Sequence, residues 1–355
     1  MFLIVANSGR MLAEAAKKAN FIPLVIDVFA DLDTQEYATA YRQVKSLSLA
    51  DLVPAVDFFI ERYAVTKVIY GSGFECYPES LFYLNSRLEI QGNTAEVFAC
   101  LLDKPVFFSV LDGLNIPYPE VVFNPPDYAT DWLVKPMQGQ GGVGITYYQA
   151  TDSIKESFYW QKFQAGVPHS VLFLADGKDV QVIGFNRQWS VHLNDTLAFI
   201  FSGVINNAEL PAGDKQKIMV WLKQLVFVFG LNGLNSLDFI FTTDCCYVLE
   251  INPRPSASMQ LYDDNLLVRH VDLLLFEPIL LNSYTGYQIV YADSDITIPE
   301  QFIWPDWCSD LPKAGNICHT GQPICSIIAH QNESQSVAKQ LLTRQQLIIN
   351  KLQRF

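Results

Sequence analysis

Three oxygen-bearing side chains stand close together in one predicted hairpin. Asp238 lies early in the apolar segment 237–241, and Glu250 and Asn252 lie late in the next segment, 247–255. Because the strands of a hairpin run antiparallel, the start of the first lies beside the end of the second. Residues 250 and 252 are two apart, so their side chains project from the same face. The pattern predicts a set of oxygen ligands suited to a hard cation such as Mg²⁺.

The alternative for this segment is an ordinary hairpin in which a carboxylate pairs with Arg254. Carboxylates among apolar neighbours are costly unless a cation or a hydrogen-bonding partner balances them. Either arrangement meets that requirement, and the metal interpretation gains weight from a second segment upstream.

That second segment is the glycine-rich stretch 132–145 (WLVKPMQGQGGVGI), which contains Lys135. Its glycines are Gly139, Gly141, Gly142 and Gly144. Three of them match G-x-G-x-x-G, but a dinucleotide fingerprint requires a following helix, and the residues ITYY at 145–148 predict a strand. We therefore reject that interpretation.

We predict a loop between antiparallel strands whose backbone N–H groups approach phosphate oxygens, with Lys135 and Lys104 as point charges. A plain flexible hairpin is the alternative.

The segments that must position these residues differ in predicted secondary structure between the first hundred residues and the rest of the chain. In the first hundred residues, strands at 2–6, 23–28 and 67–70 alternate with helices at 11–20 and 53–64, the latter with Pro54 in its first turn. This alternation predicts a parallel sheet with helices on both faces. Ligands of such sheets meet loops at the carboxyl ends of the strands, here 7–10 and 71–75, although tight turns explain these loops equally well.

Strands dominate from residue 133 to 241 around one helix at 214–229, whose apolar stripe predicts core packing. After residue 282 the chain is β-rich and ends in a polar helix over 334–354. His169 could face a nucleotide, but a solvated turn is the preferred interpretation, and Gln188 is one of several residues that could line a substrate pocket.

Composition narrows the class of protein. The chain has 355 residues, of which 50% are hydrophobic and 17% charged, so we predict two or three domains with a large core. The net charge of −13 disfavours nucleic acid as a partner. No basic region precedes the apolar run 2–6, and no uncharged run of about eighteen apolar residues occurs, which argues against export and membrane insertion. Seven cysteines without a CxxC pair favour a reducing, cytoplasmic location.

In their order along the chain, these motifs resemble those of the ATP-grasp superfamily. The resemblance spans about residues 95–280 and is carried by Asp103 and Lys104 before a helix, Lys135 and its glycine loop, the hinge-like segment 159–166 (YWQKFQAG), and Asp238, Glu250 and Asn252. Segments 310–316 and 321–329 resemble the C-terminal part of predicted ATP-grasp carboligases that are distantly related to biotin carboxylase.

The resemblance implies an α/β fold, α+β in the ATP-grasp part. A pre-ATP-grasp domain with a parallel sheet would occupy residues 1–98. The small ATP-grasp subdomain with the glycine loop would follow over 99–160, and the large subdomain with the metal site over 161–281. A β-rich extension with a terminal helix would occupy 282–355.

The resemblance also implies roles for individual residues. ATP and Mg²⁺ would be the cofactors. Lys104 and Lys135 would hold phosphates, and the glycine loop would close over the γ-phosphate. The hinge residues Gln161, Lys162 and Phe163 would bind the nucleotide, and Asp238, Glu250 and Asn252 would hold Mg²⁺. The catalytic residues would be Lys135 and Arg254, the latter stabilising an acyl phosphate through its forked guanidinium.

The implied activity is that of an ATP-dependent carboxylate–amine ligase, which forms a C–N bond through an acyl phosphate and releases ADP and phosphate. Glutamate ligation in the biosynthesis of a one-carbon cofactor is one example. The partners would be a small-molecule carboxylate and amine, with a homodimer as the assembly. Two alternatives stay open: a biotin-carboxylase-like carboxylating enzyme, and a non-catalytic nucleotide-binding protein with the same fold.

Some positions depart from the family pattern. Lys162 stands where the hinge often carries Glu, and no acidic residue for the ribose hydroxyls is evident. Asn235 and Ser236 occupy a stretch in which many of these ligases carry an arginine. The expected contact with the acyl phosphate therefore depends more heavily on Arg254.

Overall fold

The computed structural model of the protein describes residues 1–128, 130–149, 157–262, 265–275 and 283–354. The predicted domain boundary at 281/282 lies outside these ranges. Within them, no helix is both long and apolar enough to cross a membrane.

The N-terminal part of the chain forms a parallel sheet with the strand order β3-β2-β1-β4-β5. The strands are β1 (Phe2–Ala6), β2 (Pro23–Asp27), β3 (Ala40–Gln43), β4 (Lys67–Tyr70) and β5 (Glu89–Ile90). The helices are α1 (Arg10–Lys18), α2 (Leu32–Tyr37), α3 (Leu49–Tyr63), α4 (Pro78–Arg87) and α5 (Ala95–Leu102).

Alternate residues of β1 pack into different cores, as the period of a strand requires. Leu3 and Val5 pack in one core with side chains of α3, α4 and α5. Ile4 packs in another with Leu12 of α1. Helices therefore cover both faces of the sheet, which confirms the sequence prediction and brings the ends of β1, β2 and β4 to one edge.

The helix predicted at 53–64 begins earlier than expected. Helix α3 starts at Leu49, so Pro54 lies in its second turn and the prediction for its first turn was wrong. The start is set by a polar network in which the hydroxyl groups of Ser46 and Ser48 donate to Asp51 Oδ2 at 2.7 and 3.4 Å.

The next part of the chain forms a small antiparallel sheet with the order β6-β9-β7-β8. Helix α6 (Lys104–Gly113) precedes the strands β6 (Val121–Val122), β7 (Trp132–Pro136), β8 (Thr146–Tyr147) and β9 (Phe158–Lys162). The glycine loop joins β7 to β8, and these two strands pair antiparallel. A strand and not a helix follows the glycines, so the rejection of a dinucleotide fingerprint is confirmed.

A larger antiparallel sheet faces the small one. It begins with β10 (Val167–Asp176), β11 (Val180–Val191), β12 (Ile200–Ile205), β13 (Asn232–Phe241) and β14 (Cys246–Asn252). Helix α7 (Ala212–Phe229) connects β12 to β13. Its stripe of Ile218, Leu222, Leu225, Val226 and Phe229 is buried in the core, as predicted.

The C-terminal part continues the same large sheet. After α8 (Leu266–Asp272) come β15 (Tyr284–Tyr291), β16 (Ile296–Thr297), β17 (Cys308–Ser309), β18 (Ile317–Cys318), β19 (Pro323–Gln331) and α9 (Ser334–Leu352). Strands β15, β19 and β17 extend the large sheet beyond β12, and β16 pairs with β18. The β-rich character expected after residue 282 is confirmed.

His270 of α8 links the segment after β5 to strand β13 of the large sheet. Its Nε2 donates to the carbonyl oxygen of Gln91 at 3.1 Å, and its Nδ1 accepts from the backbone N–H of Leu234 at 2.9 Å. A Cβ at Gly92 or Gly233 would come within 2.6 or 2.4 Å of the imidazole ring, so both positions require glycine. Burial lowers the pKa of His270 to about 4.

We expect this histidine to make the protein sensitive to acid. Because the unfolded chain binds its proton near pH 6.5 and the folded chain only near pH 4, stability falls as the pH drops through this window, by up to ~3 kcal/mol. Urea unfolding at a series of pH values should show a weaker pH dependence for His270→Gln. The exposed His192→Gln is the control, and equal pH dependence in both variants would contradict the assignment.

Candidate functional site

A cleft of about 140 Å³ lies between the small and the large sheet. Its walls combine two lysines, the glycine loop and the acidic hairpin. The lining residues include Lys104, Lys135, Gly139, Gln140, Gly141, Gly142, Tyr159, His169, Gln188, Asp238 and Glu250. Lysines, glycines and carboxylates that lie far apart in the sequence are thus brought together.

The two lysines approach the cleft from different elements. Lys104 is the first residue of α6, whose start is capped by Asp103 Oδ1 accepting from the Val106 N–H at 3.1 Å. Its Nζ lies 3.8 Å from Glu250 Oε2. Lys135 projects from β7 and donates to Gln161 Oε1 at 3.0 Å.

Burial lowers the pKa of Lys135 to about 8, although Glu250 opposes the shift. The ammonium ion therefore needs more negative charge than Glu250 and Asp238 supply to offset its burial at this position. An anionic group bound in the cleft would supply that charge and favour the protonated lysine.

The acidic hairpin has the register that the sequence predicts. Asp238 of β13 lies directly opposite Glu250 of β14, and Asn252 lies opposite Ser236. Asp238 Oδ2 accepts from Asn252 Nδ2 at 3.1 Å, and Oδ1 accepts from Gln188 Nε2 at 3.4 Å. Burial first, and the charge of Glu250 next, raise the pKa of Asp238 to about 7. The carboxylates of Asp238 and Glu250 therefore lie close together, and the positive charge around them does not fully offset their repulsion.

The donor set fits a hard cation whose remaining ligands come from another molecule. No group of three His, Cys, Asp or Glu side chains within the described ranges could hold a metal ion alone. Asp238, Glu250 and Asn252 supply oxygen atoms, and Mg²⁺ is commonly held by one or two carboxylates together with substrate phosphates.

The glycine loop rests on the start of β12. The Phe201 N–H donates to the Gly141 carbonyl oxygen at 2.9 Å. A Cβ at Gly142 would lie 1.9 Å from the Phe199 carbonyl oxygen, and φ at Gly142 is +82°. Only glycine fits there. Gly139 lines the cleft, whereas Gly144, with φ at +78°, lies over Pro136.

The three predicted hinge residues have different surroundings. Gln161 is buried, shares a face of the small sheet with Lys135, and its Nε2 has no hydrogen-bond partner among the described residues. Lys162 lies on the opposite face, with Nζ 5.1 Å from the centre of the Trp132 ring. Phe163 is 39% exposed, and its ring contacts those of Tyr147 and Phe199. Their contact with a nucleotide stays a prediction.

Arg254 lies beside the acidic hairpin but pairs with a residue of the loop after β4. Its Nε and Nη2 lie 2.8 and 2.7 Å from Glu75 Oε1, and Nη2 also donates to Asn252 Oδ1 at 3.2 Å. Glu75 belongs to the predicted ligand loop 71–75 after β4. The alternative of an ordinary hairpin ion pair with Arg254 is not what the structure shows, since the partner of Arg254 is Glu75.

Sequence reasoning misjudged His169 and gave little weight to Gln188. His169 is 5% exposed and stacks on the Phe239 ring, with the ring centres 5.6 Å apart. Its assignment to a solvated turn was wrong because β10 begins at Val167, and the apolar run that follows could have indicated this. Gln188 lies on β11 and contacts Asp238 of β13 only because both strands pair with β10, which local sequence does not reveal.

The fold and the site define a protein with an ATP-grasp domain, and residues 101–258 match the model of that domain. Among curated proteins, the arginine-specific large chain of carbamoyl phosphate synthase from Halalkalibacterium halodurans is 22% identical over 279 residues. The match covers 70% of this chain but only 25% of that relative, so the chain spans about a quarter of its length.

Solved structures share the fold across nearly the whole chain. The biotin carboxylase domain of 2-oxoglutarate carboxylase from Hydrogenobacter thermophilus, solved as a dimer with MgADP, ADP and bicarbonate, gives a TM-score of 0.74 at 14% identity. The alignment covers 96% of this chain and 88% of that one. An L-amino acid ligase from Bacillus licheniformis gives 0.68 at 13% identity, covering 99% and 97%.

Proposed function

We propose that the protein is an ATP- and Mg²⁺-dependent ligase that activates a carboxylate as an acyl phosphate and joins it to an amine. The observation that carries the proposal is the cleft itself, in which Lys104, Lys135, the glycine loop and the paired carboxylates Asp238 and Glu250 meet. Positive charge, free backbone N–H groups and oxygen ligands for a metal are what a nucleoside triphosphate requires.

Each group then has a role in binding. Lys104 and Lys135 contact phosphate oxygens, and the loop from Gly139 to Gly144 covers the γ-phosphate. Asp238, Glu250 and Asn252 hold Mg²⁺, which neutralises charge on the phosphates when it is bound. Gln161, Lys162 and Phe163 contact the nucleotide at the hinge, Lys162 through its backbone. The close approach of Gly142 to the Phe199 carbonyl oxygen supports this arrangement, because it shows that the loop already touches the large sheet.

The chemistry requires positioning and no protein nucleophile. A carboxylate oxygen of the substrate attacks the γ-phosphorus, the bond to ADP breaks, and an acyl phosphate forms. An amine then attacks the acyl carbon, phosphate leaves, and the amine loses a proton. Arg254 stabilises the negative charge of the acyl phosphate and of its tetrahedral successor. The closed loop keeps water from the acyl phosphate.

We propose two finer identities of the substrates, each supported by what a solved relative is named for or was solved with. The amino acid ligase supports an amino acid as a substrate, and glutamate ligation in one-carbon cofactor biosynthesis is the reaction we propose to test first. The carboxylase domain solved with bicarbonate supports the second candidate, in which bicarbonate is the carboxylate that is phosphorylated. That domain was solved as a dimer, which supports a homodimer here.

Thermal unfolding with and without Mg-ATP tests the proposal, with NADH as the control ligand. Mg-ATP at one hundred times its dissociation constant should stabilise the protein by about 2.7 kcal/mol, and a chelator should reduce the effect. ADP release is then measured with bicarbonate alone and with pairs of carboxylates and amines. An equal response to Mg-ATP and NADH, or none to either, would contradict the proposal.

A further inference from the structure

Glu75 stands outside the matched ATP-grasp domain, yet it touches a residue of the candidate site. It lies in the loop after β4 and is 5% exposed. Its Oε2 accepts from the Gly73 N–H at 2.9 Å, which orients the carboxylate within its own loop. Its Oε1 accepts a hydrogen bond from Arg254 Nε at 2.8 Å and forms an ion pair with Arg254 Nη2 at 2.7 Å. The N-terminal domain therefore determines where the guanidinium lies.

A continuous chain of hydrogen bonds leads from this contact to the metal ligands. Arg254 donates to Asn252 Oδ1, and Asn252 Nδ2 donates to Asp238 Oδ2. A carboxamide binds a metal through its oxygen, and here that oxygen faces Arg254. An amide oxygen has two lone pairs, so Asn252 can bind a metal and still accept from Arg254, whose ion pair is with Glu75.

If Glu75 were removed, other carboxylates could take its place beside Arg254. Asp238 and Glu250 lie on the same hairpin, and Arg254 acts electrostatically on Asp238 in the present arrangement. A buried arginine without a partner is costly, so it turns to the nearest carboxylate. If that carboxylate is Asp238 or Glu250, the arginine occupies an oxygen that a cation needs.

We propose that Glu75 is a positioning residue that holds Arg254 away from Asp238 and Glu250, so that these carboxylates stay open to the metal. The inference rests on the proposed function, because it takes the hairpin as a metal site. It adds to that function a residue outside the ATP-grasp match, Glu75. It also gives the ion pair between Glu75 and Arg254 a role in metal binding beyond holding two parts of the chain together.

Direct binding of Mn²⁺ in the presence of ADP tests this without any substrate. Electron paramagnetic resonance of free Mn²⁺ gives the dissociation constant for the wild type, Glu75→Gln, Arg254→Met and the double variant. Glu75→Gln should weaken Mn²⁺ binding about tenfold, because the released arginine pairs with a ligand. The double variant should bind as Arg254→Met does, since the competing arginine is gone.

The control is Glu79→Gln, an exposed glutamate four residues further along, which should bind Mn²⁺ as the wild type does. If Glu75 only joins the domains, Glu75→Gln lowers the unfolding temperature but leaves Mn²⁺ binding unchanged, or the double variant stays as weak as Glu75→Gln. Either result overturns the inference alone. Failure of the wild type to bind Mn²⁺ with ADP overturns the proposed function and this inference together.

Discussion

We expect Glu250→Gln to abolish the metal-dependent part of nucleotide binding and to lower ATP turnover roughly 10³-fold, because under the proposed function a charged ligand of the cation is lost. We expect the same variant to be at least as stable as the wild type in the absence of ligands. Asp238 and Glu250 lie opposite each other, and Glu250 contributes to the raised pKa of Asp238. Removing one charge relieves that repulsion. Thermal unfolding with and without Mg-ATP, together with ADP release, measures both effects.

Asp244→Asn is the matched control, since it removes an exposed carboxylate from the turn of the same hairpin. It should leave nucleotide binding and turnover unchanged. A Glu250→Gln variant that keeps the full Mg-ATP response would refute the magnesium assignment. One that unfolds without ligand would show instead that Glu250 stabilises the hairpin, for which its 3.8 Å contact with Lys104 is the candidate.

Replacing Gly142 by alanine prevents the glycine loop from resting on the large sheet, and we expect it to weaken Mg-ATP binding by at least about tenfold. The added Cβ would lie 1.9 Å from the Phe199 carbonyl oxygen, which belongs to the backbone and cannot yield as a flexible side chain does. The loop must therefore stay away from β12 and lose the hydrogen bond between Phe201 and Gly141. The dissociation constant of Mg-ATP, from the dependence of unfolding temperature on ligand concentration, measures the effect.

Gly141→Ala separates this contact from backbone strain. Gly141 and Gly142 have φ values of +61° and +82°, so alanine is strained at both, by about 1–2 kcal/mol. A Cβ at Gly141 meets no atom within 4 Å. Gly141→Ala should therefore lose about as much stability as Gly142→Ala but keep most of the affinity for Mg-ATP. Equal affinities for the two variants would mean that loop closure plays no part in binding.

Much of the local geometry of the candidate site was predictable from the sequence pattern. The spacing of Asp238, Glu250 and Asn252 sets their faces, because side chains alternate along a strand and neighbouring strands of a hairpin run antiparallel. The β-branched and aromatic residues after Gly144 exclude the helix that a dinucleotide site requires. These are short-range properties, and they needed no information about the rest of the chain.

Contacts between distant segments were not predictable in this way. The pairing of Arg254 with Glu75 joins residues 179 positions apart, and His169 became buried only because β10 is sandwiched between β11 and β13. The sequence by itself determined which residues could bind phosphate and a cation, since that follows from residue type and local spacing. Only the tertiary structure decided which partner balances each charge. The energy of a buried ion pair depends on the distance between its groups and on their burial, and both are set by contacts between elements that are far apart in the sequence.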